Sequence, residues 1–311
     1  MNAKDVGIAL LIVVIWGVNF VALRLGLNGV PPMFLVFTRF VLSALPAVFF
    51  VKRPNVAFRY LLAYSVFTGV GQYSLLYGAL KLGMPAGLSS IVMQVQAFAT
   101  LGFGALLIGE RVRPQQIVGV LIACAGLGLI ALNFRQAIGI VPLVMVVGAA
   151  LSWGLGNVFT RMASMTAKNG EKLDMLSFTI WSCLLPPIPM LALSLAIEGP
   201  AQIYAALTHA TWTTMGAALY TAYLSTVFGF VAWNKLIAKR GAGTVAPFSL
   251  LVPFVGLLST ALALGEQVTP MTIFAGGLIL LGLAVNVFGK QMMQWITHYA
   301  LRITYFVMRK A

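Results

Sequence analysis

The chain has 311 residues, 60% of them hydrophobic and 8% charged, with a formal net charge of +14 at pH 7. So apolar a composition excludes an ordinary soluble domain. The basic excess is spread through short loops rather than gathered in an arm or patch, which excludes a nucleic-acid-binding surface.

In chain order, apolar runs predict ten membrane-spanning helices at about residues 6–25, 32–51, 59–80, 86–107, 115–132, 141–161, 175–196, 213–236, 244–264 and 271–289. Each is about long enough to cross ~30 Å of hydrocarbon at ~1.5 Å per residue. The first carries Trp16 and Asn19 in its middle and lacks a small-residue cleavage site, so it reads as a retained span rather than a signal peptide. No loop is long enough for a folded extramembrane domain. Cys124 and Cys183 lie far apart inside apolar runs, without the spacing of a disulfide framework or a metal site.

Lys and Arg set the orientation. Lys4, Lys52, Arg53, Arg59, Arg111, Arg113, Arg161, Lys168, Lys172, Lys235, Lys239, Arg240, Lys290, Arg302, Arg309 and Lys310 fall on one face. Arg24, Lys81 and Arg135 fall on the other, and Arg39 lies inside the second span. The positive-inside rule then puts both termini in the cytoplasm.

The second half repeats the first. Ala86, Gly87, Phe98, Leu101, Gly109, Glu110, Val112 and Pro114 recur 156 residues later, as do Gly126 and Gly282. Earlier, "WGVNF" (16–20) answers "WGLGNVF" (153–159), and "FTRF" (37–40) answers "FTIW" (178–181). The chain divides into a first five-helix repeat (1–136), a second (137–290) and a tail (291–311). Because five is odd, the second copy enters the membrane from the opposite side. An inverted repeat places a pseudo-twofold axis in the membrane plane, an architecture that opens alternately to either side.

The "WGVNF" of the first helix, the Arg of "FTRF", and the block "AGLSS…GERV…G" with its copy "AGTVAP…GEQV…G" resemble the EamA-type members of the drug/metabolite transporter superfamily. The likeness covers about residues 5–289 and is greatest to bacterial exporters of cysteine, O-acetylserine and aromatic amino acids. It implies an all-α polytopic bundle of ten helices, an inverted five-plus-five repeat around a central cavity. It also implies export of amino acids or related metabolites across the bacterial inner membrane, with no cofactor and no metal. In that family the fourth helix commonly carries a proline where its repeat partner here has Pro253. This chain has Ala97 there, so whatever a proline break does in the ninth helix need not happen in the fourth.

Several polar and aromatic residues stand at membrane depth. Gln94 and Gln96 are about 200° apart on a helix, so they cannot share a face. One reading makes Gln94 a ligand contact and Gln96 a bridge to a neighbouring helix; in the other, both are interhelical bridges. Arg39, about 10 Å deep, needs an anion or a ring of carbonyls. It is read either as the group that attracts a substrate carboxylate or as a cation that snorkels to the outer surface or binds backbone carbonyls. Trp16 with Asn19 and Trp153 with Asn157 occupy the middles of equivalent helices. Tyr73 and Tyr77 share a face of the third helix, and Tyr220 and Tyr223 are expected in the corresponding place of the eighth. Together these residues make a candidate cavity wall. Gly83, Pro85 and Gly87, with Gly241, Gly243, Pro247 and Pro253, are candidate hinges.

The six acidic residues, Asp5, Glu110, Glu171, Asp174, Glu198 and Glu266, fall at span ends or in loops. With no embedded carboxylate to relay protons, a downhill facilitator is expected. The expected partners are a small-molecule substrate and the lipid bilayer. Competing readings are a nucleotide-sugar or drug carrier of the same superfamily, an intramembrane enzyme, or a channel. Ser89, Ser90, Thr38 and Thr179 have no base nearby to make an enzyme of them. The tail carries a polar stripe of Gln291, Gln294, His298, Arg302 and Arg309 beside Trp295, Ile296, Tyr299, Ile303 and Phe306. It reads as an interfacial helix or as an unstructured extension.

Overall fold

The computed structural model describes residues 3–134, 139–166, 173–240, 245–286 and 288–289, and the elements among them are helical. The spans are α1 (Ala3–Gly26), α2 (Pro32–Phe49), α3 (Phe58–Tyr64, Ser65–Gln72 and Tyr73–Lys81 in unbroken succession), α4 (Ala86–Ile108) and α5 (Pro114–Phe134). The second half supplies α6 (Ile140–Met165), α7 (Met175–Glu198), α8 (Trp212–Leu219, Tyr220–Phe228 and Gly229–Arg240), α9 (Ala246–Leu251 and Val252–Leu264) and α10 (Pro270–Asn286). A short helix, Pro200–Thr208, joins α7 to α8. Among the described residues, α1, α2, α4, α5, α6, α7 and α8 each hold at least 18 residues apolar enough to cross a membrane; α9 and α10 are shorter apolar helices. The tail, Gly241 and Gly243 lie outside the described residues.

Helix boundaries follow from residues with fixed backbone preferences. Proline opens α2, α5 and α10, where its missing N–H would have had no partner anyway. At the other end, α4 and α9 stop in the same way. Gly109 and Gly265, 156 residues apart, take left-handed conformations with φ of 68° and 67°. The following Glu110 and Glu266 return their N–H groups to Gly104 and Thr260, six residues back. Both corners are left-handed glycine caps, and glycine adopts such a φ without strain.

Packing repeats the same symmetry. Gly17 of α1 lies against Val255 and Gly256 of α9, and Gly154 of α6 lies against Ala99 and Thr100 of α4. Each residue of the first set is the repeat counterpart of one in the second. α5 and α10 meet through Gly119 against Gly282 and Gly126 against Ala275, again counterparts of one another. These glycines let backbones approach closely where hydrocarbon offers no hydrophobic drive for association. The contacts of α1 with α9 and with α8 match those of α6 with α4 and with α3. The five-plus-five repeat is therefore interlocked, each half packing its first helix on the other half's fourth.

Two local features bear on the sequence reading. α4 breaks at Met93–Val95, a 3-10 turn equivalent to part of the 3-10 turn Ala246–Leu251 that precedes Pro253 in α9. Position 97 is alanine, so the turn does not depend on proline. Moreover, Ser65–Gln72 in α3 and Tyr220–Phe228 in α8 are π-helical and end 156 residues apart. This register aligns Tyr73 and Tyr77 with Gly229 and Trp233. Tyr220 and Tyr223 instead answer Tyr64 and Phe67, which corrects the correspondence expected above. A π segment inserts no signature residue, so the sequence did not announce it.

Candidate substrate site

The centre of the site is Arg39, on the face of α2 turned into the bundle and 1% exposed. Complete burial removes the snorkelling reading. Its Nη2 donates to the Tyr73 hydroxyl at 3.0 Å and to Thr226 Oγ1 at 2.7 Å; Nε also reaches Thr226, at 3.2 Å, and Nη1 reaches the Tyr77 hydroxyl at 3.2 Å. The guanidinium carbon stands 4.3 Å from the centre of the Tyr73 ring, a cation–π distance. Phe40 meets the same ring edge-on.

Every one of these partners is neutral. Among the described acidic residues, Asp5 pairs with Lys239, Glu110 pairs with Arg161, and Asp174 caps α7. Glu198 accepts from the N–H groups of Met33 and Phe34, and Glu266 from those of Ala86 and Gly87. The positive charge of Arg39 is therefore solvated by hydroxyls and a ring but balanced by no carboxylate among the described residues. Since the tyrosine oxygens accept from Arg39, their own protons remain available to donate. A buried cation with two phenols bonded to it is an arrangement that can receive an anion.

Thr226 was not foreseen. It sits in the π segment of α8, where its hydroxyl donates to Thr221 O, five residues back, while accepting from Arg39. The same widened turn frees Ser225 O, which accepts from Trp16 Nε1 at 3.1 Å. One π segment thus serves both Arg39 and α1, in keeping with the frequent use of such bulges at functional sites. The available sequence signal was the pair Ser225–Thr226 inside an otherwise apolar run.

Beside Arg39 a cavity of about 10 Å³ is lined by Tyr73, Thr226, Thr68, Ser182, Cys183 and Phe230, among others. That is room for about one water-sized particle. The Thr68 and Ser182 hydroxyls are buried without a hydrogen-bond partner, as are Asn19 Oδ1 and Gln72 Oε1. Unpaired polar atoms at membrane depth are costly and call for a solute or for hydration.

The other predicted residues are distributed around this centre. Gln94 is buried in the 3-10 turn of α4. Asn157 donates its amide to Gln96 at 2.9 Å and to Thr100 at 3.1 Å, bridging α6 to α4. Trp153 is half-buried against the main core. Trp16 packs on Phe230 and Trp233. Tyr220 donates to Ile15 O, and Tyr223, 38% exposed, donates to Leu45 O. Neither joins the Arg39 cluster. Of the hinge candidates, Gly83 has a φ of 94°, Pro85 precedes α4, and Gly87 is wedged between Thr260 and Glu266. Pro247 lies in the 3-10 turn of α9, and Pro253 is buried one turn further on.

The EamA-like transporter family model matches twice, over residues 4–132 and 140–288. The chain belongs to the EamA-like transporter family. Family membership makes it a multi-pass membrane transporter rather than an enzyme. A relative from Salmonella typhimurium, named a probable amino-acid metabolite efflux pump, is 41% identical over 93% of this chain and 96% of its own length. The protein of that name from Escherichia coli is 39% identical over the same shares. A probable terminal-alkyne amino-acid exporter of Streptantibioticus cattleyicolor is 25% identical over 90% and 92%. A solved crystal structure, 18% identical, matches the fold with a TM-score of 0.58 over 92% of this chain and 98% of its own.

Proposed function

We propose that this member of the family exports amino acids and related small carboxylates from the cytoplasm across the bacterial inner membrane, by alternating access and as a facilitator. The observation that carries the reading is Arg39: a fully buried guanidinium held by hydroxyls, with no carboxylate beside it among the described residues. The names of the relatives point to the same substrate class.

In this reading the substrate carboxylate takes the place of the missing counter-ion. Tyr73 and Tyr77 turn their hydroxyl protons to it, and Thr226 follows through the π segment of α8. Cancelling the charge of Arg39 removes part of the penalty of burying it, so the loaded carrier closes and rocks more readily than the empty one. The face of the bundle opposite the N-terminus is held shut here by bonds to helix ends. Arg24 donates to Leu80 O at 2.8 Å, Glu198 holds the start of α2, and Glu266 holds the start of α4. With both termini cytoplasmic, that face is the outer one, and release requires those bonds to part.

The test is counterflow of labelled amino acids in proteoliposomes, comparing the native chain with Arg39→Met. Losing charge-assisted hydrogen bonds worth about 1.5–3 kcal/mol should raise the apparent KM for carboxylate substrates about 10- to 100-fold. Thermal stability should hold or rise, because an unbalanced buried charge is removed. A folded variant with unchanged KM would end the assignment of Arg39. Flux that requires an imposed pH gradient would end the facilitator reading.

A further inference from the structure

A second site lies on the side of α8 away from Arg39. Tyr223, Val227, Val231 and Lys235 run down one face of this helix and, with Ile8 of α1 and Leu176 of α7, line a groove of about 640 Å³. Thr226, Phe230 and Trp233 belong to the inward face, bonded to Arg39 or packed on Trp16. The groove therefore lies on a different face of α8 from the Arg39 cluster.

Its length, its floor and its charge agree with one occupant. From Tyr223 to Lys235 the groove runs about 18 Å at ~1.5 Å per residue, close to the ~15 Å depth of one leaflet's hydrocarbon. The floor is apolar and open, with Tyr223 38% and Phe228 40% exposed. The end at the membrane surface is basic: Lys4, Lys235 and Lys239 gather around Asp5. Asp5 is buried and paired with Lys239 Nζ at 2.9 Å. Lys4 and Lys235 are exposed, and none of the described residues forms an ion pair with either. A neutral or cationic occupant would leave these two charges uncompensated.

We infer that this groove binds an anionic phospholipid, one acyl chain along α8 between α1 and α7 and the phosphate between Lys4 and Lys235. Basic pockets between membrane helices recognise acidic headgroups, each lysine near the surface contributing about 1 kcal/mol. Because α8 also carries the π segment that holds Arg39, a lipid seated there presses on the helix that the transport site depends on.

Native mass spectrometry and thermal unfolding of the full chain in neutral detergent, with added phosphatidylglycerol or with phosphatidylcholine of identical chains, test this. The native chain should retain phosphatidylglycerol preferentially and unfold at a higher temperature with it. Lys4→Gln/Lys235→Gln should lose about tenfold or more of that preference while unfolding normally without lipid. Val231→Trp, which fills the groove and leaves both lysines, should lose it as well. Equal preference in both variants overturns the site. Inorganic phosphate giving the same shift means a free-anion site and overturns the lipid. Unaltered lipid retention with a raised KM for amino acids in the lysine variant makes the groove a substrate vestibule, and the lipid assignment fails.

Discussion

The two repeats share a skeleton and divide the chemistry. Gly17 against Val255 and Gly256 is matched, residue for residue, by Gly154 against Ala99 and Thr100. Yet the counterpart of Arg39 is Ile180, also fully buried, and the counterparts of Tyr73 and Tyr77 are Gly229 and Trp233. Where the first half supplies the Arg39 guanidinium and two phenols bonded to it, the second packs Trp233 on Trp16. Alternating access needs the two halves to trade places as backbones. It needs only one binding site, so the symmetry is preserved in the contacts and abandoned in the charge.

The largest effect should come from forcing that symmetry. Ile180→Arg would bury a guanidinium where the counterparts of the two phenols are Gly229 and Trp233, at a cost of about 3–5 kcal/mol. The expected outcome is a chain that does not accumulate in the membrane, whereas Arg39→Ile does; comparative expression with size-exclusion profiles checks both. If Ile180→Arg folds and transports, the second half holds a latent receptor and the division of labour is wrong. The shared skeleton predicts the opposite pattern. Gly17→Val and Gly154→Val should each destabilise by about 1–3 kcal/mol through overpacking, and by amounts similar to each other. A thermal-unfolding comparison in which only one of them matters would show that the contacts are symmetric in shape but not in energy.

How much of this was legible beforehand differs by level. The spans, the duplication and the oddness of Arg39 stand in the sequence, because membrane depth makes apolar length, repeated Gly–Glu corners and a lone cation conspicuous. The interlock of Gly17 with Gly256 was not legible, since a glycine in a membrane helix does not name its partner. Thr226 was missed for a different reason: it meets Arg39 through a π segment that shifts the face of α8. Tyr220 and Tyr223 were misaligned for a simpler reason: the 156-residue register of α4 and α9, carried back into α8, already pairs them with Tyr64 and Phe67. The 3-10 turn of α4 was left open for want of a proline at position 97, and the backbone makes the turn that its partner α9 makes ahead of Pro253.

The smallest effects should separate the paired glutamates. Glu266 and Glu110 each follow a left-handed glycine cap, but Glu266 accepts from Ala86 and Gly87 N–H at 2.7 and 2.8 Å, bridging α9 to the start of α4 across the halves. Glu110 meets Arg161, whose side chain is 61% exposed. A carboxylate on two helix-terminal N–H groups contributes about 1–2 kcal/mol, and an exposed ion pair about 0–1 kcal/mol. Glu266→Gln should therefore lower the unfolding temperature measurably and speed the step that opens the outer face. Glu110→Gln should do little to either. Single-turnover release from preloaded proteoliposomes reads the second quantity. Equal rates for the two variants would mean that the bond from Glu266 to α4 stays intact through the cycle, so that Glu266 is scaffold like the glycines and the outer face opens elsewhere.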